Sequence, residues 1–250
     1  MIWLTSDWHF NHNREFIYKA RGFDSVEAMN EHIIACHNIV VQPEDDVYVL
    51  GDLMLGDSEK GIECINQLKG RLHIVLGNHD TDRRIALYKQ LLNVVEIENV
   101  ITLKYKKYHF YMSHYPTLTG NLEKESLKQM TLNLYGHTHQ KTNFYMDMPF
   151  MFHVGVDSSK CFPNSLDDII MMMNDKVKEC IEYLDIEEET KKSELCSITD
   201  FKNWNCDKCV WSNECSGPNV LYNVITHEEK YECPSGHKYK RDPPDGGYYG

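Results

Sequence analysis

The chain lacks the segments that would carry it into or across a membrane. No apolar run within its 250 residues approaches the roughly 18–20 residues of a membrane-spanning helix. The N-terminus also lacks a basic region followed by an apolar stretch, which is the pattern of a secretory signal peptide. No internal repeat is visible. We therefore predict a cytoplasmic protein that has no membrane partner.

Positive charge is also scarce. The formal net charge is −12, and it divides into −4 over residues 1–160, −6 over residues 161–195 and −2 over residues 196–250. Long nucleic acids are bound largely through Lys and Arg side chains that neutralise phosphates, and no segment has such a basic excess. The charge disfavours long nucleic acid as a partner and favours a small phosphorylated substrate, for which a nucleotide is the expected kind.

The nine cysteines are an odd number, which does not suit a complete disulfide framework and fits a reducing compartment. Most of them lie near the C-terminus, after an acidic stretch, so we predict a main domain over residues 1–190 and a Cys-rich tail over residues 191–250. The tail cysteines are Cys196, Cys206, Cys209, Cys215 and Cys233.

The spacing in this tail predicts a structural metal but leaves its identity open. Cys206 and Cys209 form a C-x2-C pair that, with Cys233 and His237, suits a tetrahedral zinc site in a zinc-ribbon-like module. With Cys215, the same pair also resembles the cysteine pattern of proteins that hold an Fe–S cluster, with Cys196 or Cys233 as the fourth ligand. Unligated thiols in a small core are the third interpretation.

Five short polar clusters, each directly after an apolar run, hold most of the residues capable of chemistry. Apolar runs that end in Gly or polar residues are typical of strands and their exits. Side chains just past strand ends meet at one edge of an α/β sheet, where such folds build their sites. Carboxylate oxygens and imidazole nitrogens suit a pair of divalent metals. The clusters are Asp7-x-His9, Gly51-Asp52, Gly77-Asn78-His79-Asp80, Ser113-His114 and Gly136-His137-Thr138-His139.

The sequence around these clusters predicts strands that alternate with helices, which is typical of an α/β core. Ser25 is expected to cap a helix that ends near His37, and Ser58 to open a helix that Gly70 stops. Farther along the chain, two apolar runs separated by Lys106-Lys107 predict an antiparallel hairpin.

In this order the clusters resemble the signature of the calcineurin-like metallophosphoesterase superfamily, which is D-x-H, GD, GNH[D/E], H and GHxH. The resemblance spans roughly residues 1–175 and is greatest to the small prokaryotic and phage branch, which often opens S-D-x-H-F-x-H as residues 6–12 do here. It implies a two-sheet β-sandwich flanked by helices, and a site for two divalent metal ions (Mn, Fe, Zn or Ni). The expected fold class is therefore α/β, with the Cys-rich tail as an added module.

The resemblance also implies a role for each metal ligand. Asp52 would bridge the two metals, and the other ligands would divide between them. Because the set contains few carboxylates, the metals would keep positive charge with which to bind a phosphate group. Asp7, His9 and His139 would complete one metal site, and Asn78, His114 and His137 would complete the other.

The remaining candidates are catalytic or substrate-binding. A divalent metal lowers the pKa of a bound water to about 7, which would supply hydroxide for in-line attack on phosphorus. His79 is expected to act as the general acid that protonates the leaving alkoxide. Asp80 is expected to orient His79, or else to cap the following helix. His12, Arg21 and Arg83 are expected to contact substrate phosphate.

Two departures from other branches narrow the substrate. Gly51-Asp52 is followed by Leu53-Met54-Leu55, where protein Ser/Thr phosphatases have V-D-R-G, and this disfavours a phosphoprotein. The chain also lacks a long insertion like the cap domains of nuclease members. We expect hydrolysis of phosphodiester bonds in a small nucleotide or short oligonucleotide. The alternatives are a phosphomonoesterase with the same site, a nuclease whose Cys-rich tail docks nucleic acid, and a non-catalytic scaffold.

Overall fold

The computed structural model describes residues 1–122, 124, 126–190, 196–197, 219–223 and 228–232. The chain divides into two compact units, of which the first comprises Met1–Asn121 and Ser126–Val177 and the second includes the residues from Lys178 onwards. The domain boundary near residue 190 stays a prediction. Within the described part of the chain, no helix is both long enough and apolar enough to cross a membrane. The predicted tail ligands Cys206, Cys209, Cys215, Cys233 and His237 lie outside the described residues.

Strands and helices alternate through the first half of the chain, as the sequence predicts. The strands are β1 (Ile2–Thr5), β2 (Asp46–Leu50), β3 (Arg71–Val75), β4 (Val94–Glu98), β5 (Val100–Tyr105), β6 (Tyr108–Ser113), β7 (Thr131–Tyr135), β8 (Met151–His153), β9 (Asn164–Ser165), β10 (Cys196–Ser197), β11 (Asn219–Asn223) and β12 (Glu228–Glu232). The α-helices are α1 (Glu15–Tyr18), α2 (Val26–Val40), α3 (Ser58–Ile65), α4 (Asp82–Tyr88) and α5 (Leu166–Thr190), and a short 3-10 helix spans Tyr145–Asp147.

A five-stranded sheet in the first unit has the order β4-β3-β2-β1-β9. The strands β1 to β4 are parallel to their neighbours, and only the short β9 is antiparallel, to β1. Leu4, Val49 and Ile74 are fully buried, as expected of parallel strands covered on both faces. Because β1, β2 and β3 run in the same direction, the polar clusters after these strands reach the same edge of the sheet.

A four-stranded sheet in the same unit has the order β5-β6-β7-β8. The predicted hairpin is confirmed: β5 and β6 pair antiparallel, and the φ angles of Lys106 and Lys107 in the turn between them are 47° and 71°. Two consecutive residues with positive φ are the geometry of a type I′ turn, which matches the twist of the flanking strands. The strands β6, β7 and β8 are parallel, so the clusters containing His114 and His137 leave this sheet at one edge.

Helix starts agree with the sequence at α2 and differ at α3. The Ser25 hydroxyl accepts a hydrogen bond from the Ala28 N–H, which confirms the predicted cap. At α3 the prediction of Ser58 as the capping residue is wrong by one position: the helix begins at Ser58, and the Asp57 carboxylate before it accepts the N–H groups of Glu59 and Lys60. A side-chain acceptor one residue earlier satisfies the free donors of the first turn.

The second unit contains a small antiparallel sheet of its own. Its order is β10-β12-β11, with β12 pairing on both sides. The mixed α/β architecture of the first unit, with its two parallel-rich sheets and its helices, agrees with the expected fold class.

Candidate metal centre

The predicted ligands lie at the carboxyl ends of strands from both sheets of the first unit. Backbone hydrogen bonds continue the β1–β2 pairing past the strands, with the Asp7 N–H donating to the Gly51 carbonyl at 3.0 Å and the His9 N–H to the Asp52 carbonyl at 3.0 Å. The φ angles are 57° at Asp7, 49° at His9 and 57° at Asp52. Left-handed backbone is uncommon outside glycine and persists where the surrounding structure enforces it, often at functional sites.

One group of side chains, called here the first ligand group, consists of Asp7, His9 and His139. One ligand atom from each lies within 4.8 Å of the others. The Nε2 atoms of His9 and His139 are 3.1 Å apart, and Asp7 Oδ1 is 4.0 Å from His139 Nε2. Burial, aided by the charges of Arg21 and His139, lowers the pKa of His9 to about 2. The His9 ring is therefore neutral at pH 7 and keeps a lone pair for a metal.

The second ligand group consists of Asp52, Asn78 and His114. His114 Nε2 is 2.9 Å from Asn78 Oδ1 and 3.5 Å from Asp52 Oδ2. The ligand atoms of Asp7, Asp52 and His114 also lie within 4.8 Å of one another, so Asp7 lies near both groups. The ring of His137 packs beside that of His114, with centroids 5.0 Å apart, which places the last predicted ligand on this side.

The chemistry of these atoms fits divalent cations. The Nδ1–H of His114 donates to the Leu50 carbonyl at 2.8 Å, and a carbonyl only accepts hydrogen bonds. In its neutral form the ring directs the lone pair of Nε2 towards Asp52, which is itself an acceptor. His139 is arranged in the same way, because its Nδ1–H donates to Asp157. Acceptor atoms that face one another at these distances are stabilised by a cation between them.

The sequence analysis missed Asp157, which is the outer partner of His139. Asp157 Oδ2 accepts the His139 Nδ1–H at 2.8 Å and also lies 2.9 Å from Arg21 Nη2. Burial alone would raise the pKa of Asp157, but the hydrogen bonds from His139 and Arg21 outweigh it and hold the pKa well below its usual value. The same contact opposes the effect of burial on His139 and raises the pKa of that ring. A carboxylate in this position orients a metal-binding imidazole and makes it more basic.

His79 and Asp80 occupy different environments. The side chain of His79 is 44% exposed, and its Nε2 lies 3.9 Å from Asp52 Oδ2, so the ring is at the open side of the centre. The predicted role of Asp80 in orienting His79 is not seen, because its carboxylate accepts the N–H groups of Asp52 and Gly77 and the hydroxyl of Tyr88. Asp80 instead holds the backbone beneath the centre, and it does not cap α4.

The three predicted substrate residues differ in position. His12 is half-buried, and its ring centroid is 5.5 Å from that of His9, so it adjoins the metal centre. Arg83 is exposed on the first turn of α4, whereas its neighbour Arg84 donates to the carbonyl of His79. Arg21 is buried, and its contacts to Asp157 and to backbone carbonyls give no support to the prediction that it binds substrate.

Comparison with known proteins identifies relatives of similar size. The chain is 32% identical over 183 residues to an uncharacterized protein of Methanocaldococcus jannaschii, covering 69% of this chain and 90% of that protein. It is 26% identical over 196 residues to the gene 66 protein of Mycobacterium phage D29, covering 70% and 96% of the two chains. A solved structure of a protein of unknown function from Aquifex aeolicus is similar in fold, with a TM-score of 0.53, 24% identity, and coverage of 69% and 98%.

The Calcineurin-like phosphoesterase superfamily domain matches residues 1–156. That range contains both ligand groups, together with His79 and His137. Family members use divalent metals, and the Asp and His groups described above are able to hold them. The chain therefore belongs to the calcineurin-like phosphoesterase superfamily, which indicates a hydrolase that acts on phosphate esters.

Proposed function

We propose that the chain is a phosphodiesterase with two divalent metal ions that acts on a small nucleotide or short oligonucleotide. The position of the Asp52 carboxylate carries this proposal. Its Oδ2 lies 3.7 Å from His9 Nε2 in the first ligand group and 3.5 Å from His114 Nε2 in the second. A single carboxylate oxygen between imidazoles of both groups suits a bridging ligand.

The chain's own residues would then divide the work of catalysis. Two divalent ions, when bound, supply positive charge for the phosphoryl oxygens and a nucleophile at neutral pH. The two ligand groups would bind these ions. Asp80 fixes the loops that carry Asp52 and Asn78, because its carboxylate accepts backbone N–H groups of both loops. His79 lies outside both groups and is partly exposed, so it is free to donate a proton to the leaving alkoxide.

A polar cavity beside the metal centre supports a small diester substrate. It has a volume of about 400 Å³ and is lined in part by His12, Arg14 and Lys60. This volume falls within the range of small-molecule sites, and cationic groups suit a sugar-phosphate. His12, which lines the cavity, has its ring next to that of His9. We propose that the cavity accommodates the second ester group, which a diester has and a monoester lacks.

The test compares aryl phosphates under one metal. Metal-free protein given Mn²⁺ is expected to cleave bis-(4-nitrophenyl) phosphate with a higher kcat/KM than 4-nitrophenyl phosphate, and chelation by EDTA is expected to abolish both reactions. A panel of cyclic nucleotides and dinucleotides would then identify the natural class. A clear preference for the monoester would favour a phosphomonoesterase instead, and failure to cleave either ester would count against the enzyme activity.

We further propose that the Cys-rich tail holds a structural metal, zinc or an Fe–S cluster, whose binding does not depend on the phosphoesterase metals. The C-x2-C spacing of Cys206 and Cys209 supports this proposal. Replacing both with Ser should release zinc or iron that Mn²⁺ does not displace, and should spare hydrolysis of the small aryl diester. Brown colour in the purified protein would indicate an Fe–S cluster, and loss of activity on a long oligonucleotide alone would make the tail a docking module.

A further inference from the structure

Arg21 has a buried side chain that donates hydrogen bonds to other groups of the protein. It lies in the turn between α1 and α2, and its side chain is 4% exposed. Its Nε donates to Asp157 Oδ1 at 3.1 Å and its Nη2 to Asp157 Oδ2 at 2.9 Å. Two parallel hydrogen bonds between a guanidinium and a carboxylate give this pair a defined geometry.

The same guanidinium binds the backbone of the first cluster. Nη2 of Arg21 donates to the Asp7 carbonyl at 2.8 Å, and Nη1 donates to the Trp8 carbonyl at 3.1 Å. These carbonyls lie between Asp7 and His9, whose φ angles of 57° and 49° are strained for residues with a side chain. Arg21 therefore holds the strained segment that presents two members of the first ligand group.

The direction of the His9 ring depends on this backbone. His9 Nδ1 is buried and has no hydrogen-bond partner among the described residues, so no outer contact orients the ring through that atom. His139, the third member of the group, is oriented through Asp157, to which Arg21 is bound. All three members are thus connected to Arg21 and Asp157, either through their backbone or through Nδ1.

The second ligand group is held differently. His114 is oriented by the backbone carbonyl of Leu50, and the Asp52 carboxylate accepts the N–H of His79 at 2.9 Å. The hydrogen bonds of Arg21 go to Asp157, to the carbonyls of Asp7 and Trp8 and to the sulfur of Met29, and none of these belongs to this group.

From these contacts we infer that Arg21 and Asp157 are positioning residues for one metal. Together they set the geometry of the first ligand group, and they therefore control the metal affinity of that group more than that of the second, which they reach only through Asp7. The inference rests on the proposed two-metal centre. Arg21 is thereby assigned a positioning role for metal ligands and not the predicted contact with substrate phosphate.

The experiment measures Mn²⁺ binding and not activity alone. Metal-free wild type, Arg21→Lys and Asp157→Asn are titrated with Mn²⁺ by calorimetry, and the spectrum of the bound Mn²⁺ is recorded by electron paramagnetic resonance. Outer-shell substitutions typically lower metal affinity by about 10–100-fold. We expect a loss of this size for one ion in both variants and a clearly smaller loss for the second ion, so that at intermediate Mn²⁺ the coupled-pair spectrum gives way to that of a single ion.

A control variant tests whether the loss of an ion pair away from the centre has the same effect. Arg71 pairs with Asp46 at 2.6 Å at the opposite ends of β2 and β3, where the strands begin. Arg71→Gln should leave both Mn²⁺ affinities unchanged. Circular dichroism is used to check that each variant is folded. If Arg21→Lys does not fold, the inference is tested with Asp157→Asn, which keeps the shape of the side chain.

The outcomes distinguish the inference from the proposed function. If wild type binds two Mn²⁺ and both variants bind them with wild-type affinity, the positioning role is wrong while the two-metal centre stands. Equal weakening of both ions would overturn the selectivity for the first group. If wild type binds no Mn²⁺, the proposed function fails, and the inference that rests on it fails too.

Discussion

The two ligand groups of the metal centre are held in place by different kinds of contact. In the first group, Asp157 orients His139, and Arg21 holds Asp157 and the neighbouring backbone. In the second group, the backbone carbonyl of Leu50 orients His114. A side chain is changed by a single substitution, whereas a backbone carbonyl is present whatever residue occupies the position. The orientation of His139 is therefore open to change by a single substitution of its partner, and that of His114 is sensitive mainly to changes in backbone path.

Backbone strain occurs on both sides of the centre. The φ angles are 57° at Asp7, 49° at His9 and 49° at His139 in the first group, and 57° at Asp52 and 68° at His137 on the second side. Strained backbone needs support from its surroundings. The buried Arg21–Asp157 pair supplies such support on the first side, next to Asp7 and His9.

The largest expected effect comes from Asp52→Asn, which removes the carboxylate that lies between the two groups. We expect hydrolysis of the aryl diester to be abolished and both Mn²⁺ ions to be lost, because a neutral amide does not offset the repulsion between two cations. Elemental analysis of dialysed protein and initial rates are the measurements. Two ions bound at full occupancy would contradict a bridging role, and loss of one ion alone would show that the two groups are independent.

The second-largest effect is expected from His79→Ala. His79 lies outside both ligand groups. Turnover should fall by about 10²–10⁴-fold, the usual contribution of a general acid, while both Mn²⁺ ions remain bound. The loss should be smaller for a nitrophenyl leaving group than for an alkyl one, because nitrophenolate needs little protonation. Rates on a pair of such diesters check this. Equal losses on both would indicate that His79 positions the phosphate instead.

A pair of glycine substitutions tests the two groups separately. A Cβ at Gly136 would lie 2.6 Å from Asp7 Oδ2, and one at Gly51 would meet His114 Nδ1. We expect Gly136→Ala to weaken Mn²⁺ binding by roughly tenfold in the first group and Gly51→Ala to do so in the second, the size expected when ligands are misplaced. Calorimetric titration should show that each variant loses a different ion.

The control for this pair is Gly22→Ala. Gly22 and Gly51 have φ angles of 88° and 91°, but a Cβ at Gly22 would meet nothing within 4 Å. Its substitution therefore carries the same backbone strain without the clash. If Gly22→Ala weakened Mn²⁺ binding as much as Gly51→Ala does, strain and not displacement of His114 would be responsible.

The smallest effect is expected from Tyr88→Phe, which removes one of the contacts of Asp80. The Tyr88 hydroxyl donates to Asp80 Oδ1 at 2.8 Å, and the other carboxylate oxygen still accepts the N–H groups of Asp52 and Gly77. The free energy of unfolding should fall by about 1.5 kcal/mol, as for the loss of a hydrogen bond to a charged group. Urea unfolding measures this. A tenfold loss of turnover in the folded variant would instead indicate that Asp80 acts in the chemistry.

That the candidate metal ligands come together was largely predictable from the sequence. Asp7, His9, Asp52 and His114 come after apolar runs that form parallel strands, and the residues after parallel strands lie at one edge of a sheet. The roles assigned to neighbouring residues were less secure. Asp80 lies beside His79 in the chain, but its carboxylate turns away from that ring and towards backbone N–H groups.

The sequence by itself determined the family, the α/β class and the identity of the ligand-type residues, because each depends on a short local pattern of strand, turn and polar side chain. Only the tertiary structure decided what orients those ligands. Arg21 and Asp157 are separated by 136 positions, and Asp157 and His139 by 18. No local pattern marks such pairs, since a buried charge takes as its partner whichever group the packing of distant segments brings within hydrogen-bonding distance.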